Sequence, residues 1–415
     1  MTTVAGRAEE HAMPQQPEHV VVVGAGLGGV RVIEQLRAHG FQGRISLIGA
    51  EEHQPYDRPP LSKQILNREW EPERATLRNR AALEALGVSV RLGVRAVALD
   101  GTGVALADGR QLAGDTVVLA TGAAPRKLPG QPDGVAVLRT LDDALSLRDA
   151  LDSARSMLVV GAGFIGAEAA CAARRRGLDV TVLEAMPVPC ERVLGRQVGG
   201  LAARLFTEAG VDLRCGARID RFADEHTVEL SDGGMVSAGV VLVGIGARPE
   251  LGWLDGVGPG NGDGLACDAN GRVLATDGVW ALGDMAAWRD PARGRFHRHE
   301  HWTSAVDQAA VVACDILGVE RPAPTVPYVW SDQFGLKIQV LGRTDLVDEV
   351  VPLHGEGLDG GPVKGTLVGY FVDDTLVGAV AFGCPAKLVR YRAPVTERAD
   401  RAAVLALSGS GARLV

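Results

Sequence analysis

Two glycine-rich segments of the same kind constrain the fold of this chain more than any other feature. Residues 24–29 read GAGLGG after the apolar run HVVVV, and residues 161–166 read GAGFIG after MLVV. In each case a strand enters G-x-G-x-x-G and a helix of small residues follows, the context in which this pattern binds a dinucleotide. The first glycine makes the turn, the second lets backbone N–H groups approach a pyrophosphate, and the third lets the helix pack on the strand.

A second strand that ends in acidic residues follows each glycine motif. Residues 44–48, RISLI, lead into Gly49-Ala50-Glu51-Glu52, and residues 180–184, VTVLE, end at Glu184. A carboxylate in this position accepts hydrogen bonds from the ribose hydroxyls of a bound adenosine. Glu51 is the predicted acceptor in the first unit, with a solvated loop acid in a shifted register as the alternative, and Glu184 is the acceptor in the second. Two such units predict two dinucleotides, a flavin and the nicotinamide that reduces it.

Length and charge exclude several classes of protein. The chain has 415 residues, enough for two or three domains. Its formal net charge of −8 argues against a general nucleic-acid or membrane-surface binder. No apolar run reaches the roughly 18 residues of a membrane span, and residues 1–17 lack the apolar centre of a signal peptide. We predict a mobile tail over 1–17 and a cytoplasmic protein.

The cysteines are scattered and show no redox spacing. No pair has the form C-x-x-C or C-x-x-x-x-C, and none precedes position 171. Scattered cysteines in a cytosolic chain are usually reduced thiols. A redox disulfide in the first dinucleotide-binding segment is therefore excluded. The six positions are Cys171, Cys190, Cys215, Cys267, Cys314 and Cys384.

The predicted fold class is α/β, with two Rossmann-like dinucleotide-binding domains and a C-terminal α+β domain. A buried strand over 115–122 ends in Ala120-Thr121-Gly122, where the chain leaves the first domain. A similar strand over 240–249 contains Gly246 and returns the chain to the first domain. The predicted bounds are 18–125 and 246–324 for the discontinuous flavin domain, 126–245 for the nicotinamide domain and 325–415 for the C-terminal domain.

Two further segments carry charged residues suited to a flavin. Residues 55–63, PYDRPPLSK, form a turn made rigid by proline, and a cation at Lys63 beside the flavin would stabilise its reduced, anionic form; an exposed loop lysine is the alternative. Residues 278–284, GVWALGD, predict a strand and a glycine turn before a helix of small residues. Asp284, at the end of that turn, is predicted to meet the ribityl hydroxyls of the flavin.

Together these motifs resemble the single-flavin ferredoxin reductase branch of the pyridine-nucleotide-disulfide oxidoreductase superfamily. The resemblance runs from Val20 to about Arg390 and implies a glutathione-reductase-like arrangement of the two dinucleotide domains. Its most specific pieces are PYDRPPLSK at 55–63, GFIGAE at 163–168, EHW at 300–302 and VWSDQ at 329–333.

The resemblance implies two cofactors, FAD and NADH, and a set of site residues. Lys63 and Glu168 are the predicted catalytic pair, joined beneath the flavin ring, and Trp330 lies on the side that faces the electron acceptor. The predicted FAD contacts are Gly24, Gly26, Leu27, Gly29, Glu51, Arg58, Lys63, Ala120, Thr121, Gly122, Arg126, Asp284, Trp302 and Trp330. The predicted NAD contacts are Gly161, Gly163, Phe164, Ile165, Gly166, Glu168, Glu184, Arg192 and Gly246.

Three positions depart from the pattern of the branch. Ala124 stands where many members have an arginine, so one basic contact is absent. Cys190 and Glu191 precede Arg192 where relatives are apolar or small, which predicts a different adenosine pocket. The C-terminal domain is predicted to be shortened after Arg392.

The activity implied by the resemblance is electron transfer from NADH through FAD to an iron–sulfur ferredoxin or rubredoxin. Such a partner serves an oxygenase, either a cytochrome monooxygenase or a ring-hydroxylating dioxygenase. Ferredoxins are typically acidic, so the basic stretch 288–302 is a candidate docking surface near Trp330; a solvated positive loop is the alternative. No metal site is expected at His297, His299 and His301, because cations flank them. The arginines of this stretch are Arg289, Arg293, Arg295 and Arg298.

Three other functions fit parts of the pattern. A thiol-dependent NADH oxidase or CoA-disulfide reductase has the fold but requires an early cysteine. A flavoprotein like apoptosis-inducing factor shares the Pro-Pro-Leu-Ser-Lys turn but has a larger C-terminal insertion. A binding module that only senses NAD needs neither the pair of Lys63 with Glu168 nor tryptophans at the flavin.

Overall fold

The computed structural model describes residues 16–259, 264–291 and 293–409. Most of the predicted tail over 1–17 lies outside the described residues. The first dinucleotide-binding unit begins with a strand, the glycine turn and a helix, and continues through a small β-meander. Its elements are β1 (His19–Val23), α1 (Leu27–Ala38), β2 (Arg44–Ile48), α2 (Arg80–Ala85), β3 (Val88–Arg91), β4 (Ala96–Asp100), β5 (Gly103–Leu106), β6 (Gln111–Ala113), β7 (Thr116–Leu119) and β8 (Ala124–Pro125).

The second unit repeats the strand, glycine turn and helix. Its elements are α3 (Leu141–Ser153), β9 (Ser156–Val160), α4 (Phe164–Arg175), β10 (Asp179–Glu184), α5 (Glu191–Glu208), β11 (Asp212–Cys215), β12 (Ile219–Phe222), β13 (Thr227–Leu230), β14 (Met235–Ser237), β15 (Val240–Val243) and β16 (Ala247–Arg248). The parallel sheet of this unit has the order β11-β10-β9-β15, and β12, β13 and β14 form an antiparallel meander.

The chain then returns to the first unit. The returning elements are β17 (Leu265–Cys267), β18 (Val279–Ala281), β19 (Ala286–Asp290), β20 (Arg295–His297) and α6 (Trp302–Leu317). β18 pairs with β7 and completes a parallel sheet of order β18-β7-β1-β2-β3. The two passages between the units, β8 and β16, pair with each other in antiparallel fashion.

The helix predicted directly after Asp284 is wrong. Residues Gly283–Met285 form one 3-10 turn, and the following Ala-Ala-Trp-Arg-Asp segment is strand β19. β19 pairs in parallel with β17 and in antiparallel fashion with β20. Sheet pairing and burial of Ala286 and Ala287 therefore override the helical preference of alanine at these positions.

The central strands β1 and β7 of the first sheet are buried on both faces, as expected of a parallel sheet covered by other elements. Side chains alternate along β1, so Val20 and Val22 pack with helices α1 and α6, whereas Val21 and Val23 pack with the meander β4–β6. This alternation explains why the run HVVVV forms a central strand. The first glycine turn, directly after β1, is thereby held at the carboxyl edge of the sheet.

The described part of the C-terminal domain combines an antiparallel sheet with short helices. The elements are β21 (Tyr328–Gln333), β22 (Leu336–Gly342), β23 (Glu349–His354), β24 (Leu367–Val372), β25 (Thr375–Phe382), α7 (Pro385–Val389), α8 (Arg392–Thr396) and α9 (Arg401–Ser408). The sheet has the order β21-β22-β25-β24-β23. Arg398 adopts a positive φ of 56° between α8 and α9, and Asp400 caps α9 by accepting from Ala403 N, so these are two separate helices.

One face of the C-terminal sheet packs on the second unit. Leu194 and Val198 of α5 share a buried cluster with Ile338 and Tyr370 of the sheet. The Tyr370 hydroxyl donates to the carbonyl of Leu194 at 2.6 Å. The end of β21 also lies against this unit, because Phe334 N, directly after the strand, donates to Cys171 Sγ of α4 at 3.0 Å. Within the described ranges, no helix is both long and apolar enough to cross a membrane.

Candidate functional site

A cleft of about 1800 Å³ runs between the two dinucleotide-binding units. Pockets for drug-sized ligands are typically about 300–1,000 Å³, so this cleft has room for more than one such molecule. Both glycine turns, the acids Glu51 and Glu184, and the tryptophans Trp302 and Trp330 lie in its wall. The cleft therefore brings together the motifs that the sequence had suggested separately.

The two glycine turns have the same construction. In the first, Gly24 has φ +115° and a Cβ there would lie 2.2 Å from the carbonyl oxygen of Ala120. A Cβ on Gly29 would lie 2.0 Å from the carbonyl oxygen of Gly24, so the helix packs tightly on the turn. A Cβ on the middle residue, Gly26, would meet nothing within 4 Å. That open space and the start of α1 at Leu27 form a cradle for an anionic group at a helix N-terminus.

The second turn repeats these contacts. A Cβ on Gly161 would lie 2.6 Å from Gly244 O, and one on Gly166 would lie 2.0 Å from Gly161 O. A Cβ on Gly163 again meets nothing within 4 Å, and helix α4 begins at Phe164. The residues present therefore fit two dinucleotide pyrophosphates, one at each turn.

The two predicted ribose acids are both held at the cleft. Glu51 accepts from the Tyr56 hydroxyl at 2.5 Å and from Nη2 of Arg58 at 2.9 Å. Burial raises the pKa of the Tyr56 phenol above its usual range, so it remains a donor. Glu184 accepts from Ala162 N at 2.7 Å and Met186 N at 2.8 Å, one bond to each carboxylate oxygen. These bonds fix the carboxylates and leave acceptor positions for further donors. Their ribose contacts stay predictions.

Lys63 and Glu168 form an ion pair inside the cleft, with 2.7 Å between Nζ and Oε2. Lys63 directly follows the 3-10 turn over Pro59–Ser62, and Glu168 lies on α4 just beyond its first turn. The Lys63 side chain is 14% exposed and that of Glu168 is 2% exposed. A cation in this largely buried site acts on a neighbouring charge more strongly than a cation in water.

The tryptophans are fixed by polar contacts. Trp302 Nε1 donates to Asp57 Oδ1 at 2.7 Å, and burial raises the pKa of the Asp57 carboxyl. The rings of Trp302 and Trp330 meet edge-on, with 6.3 Å between centroids. Tyr328 stacks on Trp330 at 5.8 Å. The aromatic wall therefore joins the first unit to the C-terminal sheet.

Arg139 is a site residue that the sequence analysis missed. Its Nη2 donates to Asp284 Oδ2 at 2.8 Å, and its carbonyl accepts from Arg58. Its Nε is buried without a hydrogen-bond partner among the described residues, which suits an additional acceptor in the cleft. No sequence motif marks Arg139, which stands directly before Thr140, the N-terminal capping residue of α3.

Most of the other predicted contacts lie in the cleft wall, including Lys63, Ala120, Thr121, Gly122, Arg192 and Gly246. Arg126 does not: its Nε donates to the carbonyl of Ala247 at 3.0 Å, beside the paired strands β8 and β16. Gly29 and Gly166 lie behind the turns, where they permit packing.

Two of the four arginines proposed for docking are not on the surface, so that part of the prediction is wrong. Arg293 is 9% exposed and pairs with Asp290 and, at 2.6 Å, with Asp345. Arg298 is 6% exposed and pairs with Glu300. Burial removes both from a docking surface, whereas Arg289 and Arg295 are exposed.

The histidines of the same stretch are partly buried. Burial, with the positive charge of nearby groups, lowers the pKa of His299 to about 4. Burial likewise lowers the pKa of His301. In the part of the chain that the structure describes, no three His, Cys, Asp or Glu side chains are arranged to hold a metal ion.

The thiols near the cleft are suited to packing. Burial raises the pKa of Cys171 to about 11 and that of Cys190 to about 12. All six cysteines are unpaired. At neutral pH both thiols are protonated, and the thiolate is the reactive form of cysteine. A thiol relay of the kind used by disulfide reductases is therefore not supported.

Comparison with known proteins agrees with this geometry. The family described as "Pyridine nucleotide-disulphide oxidoreductase" matches residues 18–309, and "Reductase C-terminal" matches residues 328–407. The ferredoxin--NAD(+) reductase component of the p-cumate 2,3-dioxygenase system of Pseudomonas putida is 37% identical over 335 residues, which cover 80% of this chain and 82% of that protein.

Two further proteins are similar over a larger part of the chain. The ferredoxin reductase component of chlorobenzene dioxygenase from Cupriavidus sp. (strain PS12) is 37% identical over 399 residues, which cover 91% of this chain and 93% of that protein. The crystal structure of the covalent putidaredoxin reductase–putidaredoxin complex matches with a TM-score of 0.86 at 29% identity. That match covers 96% of this chain and 99% of the compared chain.

Proposed function

Because this chain belongs to the pyridine nucleotide-disulphide oxidoreductase family, we propose that it is an FAD-dependent ferredoxin reductase. It passes electrons from NADH to a ferredoxin or rubredoxin that serves an oxygenase. The observation that carries this proposal is one cleft with two glycine cradles and a buried ion pair, Lys63 with Glu168. Relatives named as ferredoxin--NAD(+) reductase components of dioxygenase systems support it.

The residues around the cleft have separate tasks. Bound FAD supplies hydride acceptance from NADH and the release of electrons one at a time. The Gly26 cradle and the pair of Asp284 with Arg139 hold FAD, and the Gly163 cradle with Glu184 holds NADH. Lys63 provides a fixed positive charge where negative charge develops during hydride transfer. Glu168 keeps that cation in position.

The partner site is the surface beside Trp330. The Lys337 ammonium lies 5.7 Å from the centre of the Trp330 ring, and the carbonyl of Lys337 accepts from Gly383 N at 2.9 Å. A Cβ on Gly383 would lie 3.5 Å from Cγ of Lys364, and Lys364 and Lys387 line one small hollow. Glu356 also lines this hollow and Asp332 pairs with Lys337, so the three lysines outnumber two neighbouring acids. We name Trp330, Lys337, Lys364 and Lys387 the basic face; its net positive charge complements an acidic ferredoxin.

Reduced thiols support a cytoplasmic setting for this electron transfer, since disulfides persist mainly in oxidising compartments. The direct test is NADH-dependent reduction of cytochrome c by the yellow, purified protein with and without a two-iron ferredoxin. We expect little reduction without ferredoxin and fast reduction with it. Equal rates in both cases, or hydrogen peroxide as the main product, would contradict the proposal in favour of an NADH oxidase.

The two cradles should respond separately to an added methyl group. Neither Gly26 nor Gly163 has a positive φ, and a Cβ meets no protein atom at either, so alanine should leave the fold intact. We expect Gly26→Ala to be purified with little FAD. We expect Gly163→Ala to keep FAD and bind NADH more weakly by about tenfold, the equivalent of 1.4 kcal/mol.

Flavin absorbance per protein and NADH titration measure the two effects. Gly200→Ala is the matched control, because its Cβ also meets nothing within 4 Å and it lies inside α5, away from the cleft. Loss of both dinucleotides in both cradle variants would show that the turns do not act independently. We expect the FAD to be bound without a covalent bond, so acid precipitation of the wild-type protein should leave the FAD in the supernatant.

NADH should be preferred over NADPH. Both oxygens of Glu184 are fixed by backbone N–H groups, so the carboxylate cannot turn away from a 2′-phosphate. We expect Glu184→Gln, which keeps the size, removes the charge and gives up one of the two backbone N–H bonds, to raise the ratio of kcat/KM for NADPH to that for NADH by about tenfold. A wild-type protein with equal or higher kcat/KM for NADPH would refute this assignment, and Arg192 in the cleft wall would then be the residue to test.

A further inference from the structure

The two oxygens of the Glu168 carboxylate are held by different parts of the chain. Ser62 and Lys63 donate to Oε2, at 2.5 and 2.7 Å. On β21, the Ser331 hydroxyl donates to Oε1 at 2.6 Å and Asp332 N donates to it at 3.2 Å. A carboxylate offers about four acceptor positions, so these donors occupy all of them. The C-terminal domain therefore completes the coordination of a residue in the cleft.

Ser331 is itself fixed from behind. Gln333 Nε2 donates to Ser331 Oγ at 3.2 Å, which directs the hydroxyl hydrogen towards Glu168. Ser331 and Gln333 are both 0% exposed and lie on the same face of β21, two residues apart. Trp330, which directly precedes Ser331 on β21, lies in the cleft wall instead. Gln333 Oε1, in contrast, is buried without a hydrogen-bond partner among the described residues. The donors of the chain have few alternative partners in this buried place, so the chain constrains the orientation of its members.

We propose that Ser331, supported by Gln333, is a positioning residue for hydride transfer. Its bond to Oε1 fixes the rotation of the Glu168 carboxylate, and this keeps Oε2 on the Lys63 ammonium. The inference rests on the proposed function, in which Lys63 stabilises charge as NADH reduces the flavin. It adds a task for the C-terminal domain, which the proposed function assigns only to the partner surface.

The bond matters because only one longer bond to the same oxygen would remain without it. Glu168 is 3% exposed, so its carboxylate relies mainly on protein donors. The remaining donor to that oxygen, Asp332 N, lies at the longer distance of 3.2 Å. The carboxylate then turns towards its other donors, and Lys63 loses its fixed position. A misplacement of about 1 Å in a catalytic arrangement can cost about 10²-fold in rate.

The first test is a graded series at one position. Ser331→Ala removes the donor, and Ser331→Cys keeps a weak donor of similar shape. We expect the limiting rate of flavin reduction by NADH to fall about tenfold in the alanine variant and less in the cysteine variant, within the range that misplacement causes. The dissociation constant for NADH should stay within about twofold of the wild-type value, because the interaction that is lost stabilises the transition state and not bound NADH.

The matched control is Ser46→Ala. Ser46 is also buried, at 6% exposure, and its hydroxyl bonds Nε2 of His19 at 2.9 Å within the first sheet. This substitution removes a buried serine hydroxyl but leaves intact the hydrogen bonds that connect Ser331 through Glu168 to Lys63. We expect Ser46→Ala to reduce its flavin at the wild-type limiting rate.

The second test does not depend on turnover. Trace acetylation of the oxidised, flavin-loaded protein, followed by peptide mass spectrometry, reports how readily Lys63 reacts relative to the exposed Lys387. We expect the relative labelling of Lys63 to rise several-fold in Ser331→Ala and to stay unchanged in Ser46→Ala. Wild-type labelling and a wild-type limiting rate in Ser331→Ala would overturn the role of Ser331, even if that variant were less stable. A wild-type flavin that NADH does not reduce would contradict the proposed function instead.

Discussion

Replacing Lys63 by methionine should slow reduction of the bound flavin by NADH about 10²-fold, the size of effect seen when one preorganised donor is removed from a catalytic site. The Lys63 side chain is 14% exposed and lies in the cleft wall, so its charge is screened less than that of a surface lysine. It is used where charge changes during the reaction, so the limiting rate should fall far more than NADH affinity. Stopped-flow bleaching of the flavin under excess NADH measures both quantities.

Stability has to be separated from catalysis in this experiment. Removing one member of a buried ion pair leaves the other charge unpaired and costs about 3–5 kcal/mol, whereas replacing both is often neutral. Lys63→Met and Glu168→Gln should therefore each lower the free energy of unfolding, and the double variant should recover most of it. The reduction rate should remain low in all three. A double variant that recovers the rate together with the stability would remove the pair from the mechanism.

The features that sequence could predict are those set by local backbone geometry. The spacing of the glycine turns follows from the close approaches of Gly29 to Gly24 and of Gly166 to Gly161, which no other residue allows. The acid Glu184 ends the strand beside the second turn, so its place also follows from the local pattern. These elements appear in the structure where the motifs indicated.

Contacts between distant parts of the chain were beyond the local pattern. Arg139 meets Asp284 only because the second unit packs across the first, and Ser331 reaches Glu168 only because β21 lies against α4. The pairing of Lys63 with Glu168 came from the resemblance to known reductases, since spacing alone does not join these segments.

The same limit explains the wrong docking arginines. A concentration of positive charge in sequence does not reveal which acids will face it. Asp345, which pairs with Arg293, comes from the loop after β22 in the C-terminal domain. Arg298 also donates to the carbonyl of Asp284, which lies at the turn before β19. Tertiary contacts therefore bury two of the four arginines that were predicted to lie on a docking surface.

The basic face should therefore carry most of the attraction for ferredoxin. Lys364 and Lys387 are exposed, adjacent to each other and connected through Gly383 to Lys337, whose ammonium lies over the Trp330 ring. Electrostatic steering raises association rates by about 10–10³-fold at low salt. Reversing both charges, in Lys364→Glu with Lys387→Glu, should lower kcat/KM for ferredoxin by about tenfold or more on the same grounds. Lys337 is left intact because it also pairs with Asp332 at 3.2 Å.

The matched variant reverses the two exposed arginines of the other candidate surface, Arg289→Glu with Arg295→Glu, so that both proteins carry the same change in net charge. NADH-to-ferricyanide turnover, which needs no protein docking, should be unchanged in both. Ferredoxin turnover of the wild type should fall with salt, because charges are screened beyond about 3 Å at 1 M. The lysine variant should lose most of that salt dependence, since the attraction that salt screens is already absent. If instead the arginine variant shows the larger loss, the partner docks at the 288–302 stretch, and the basic face beside Trp330 is not its site.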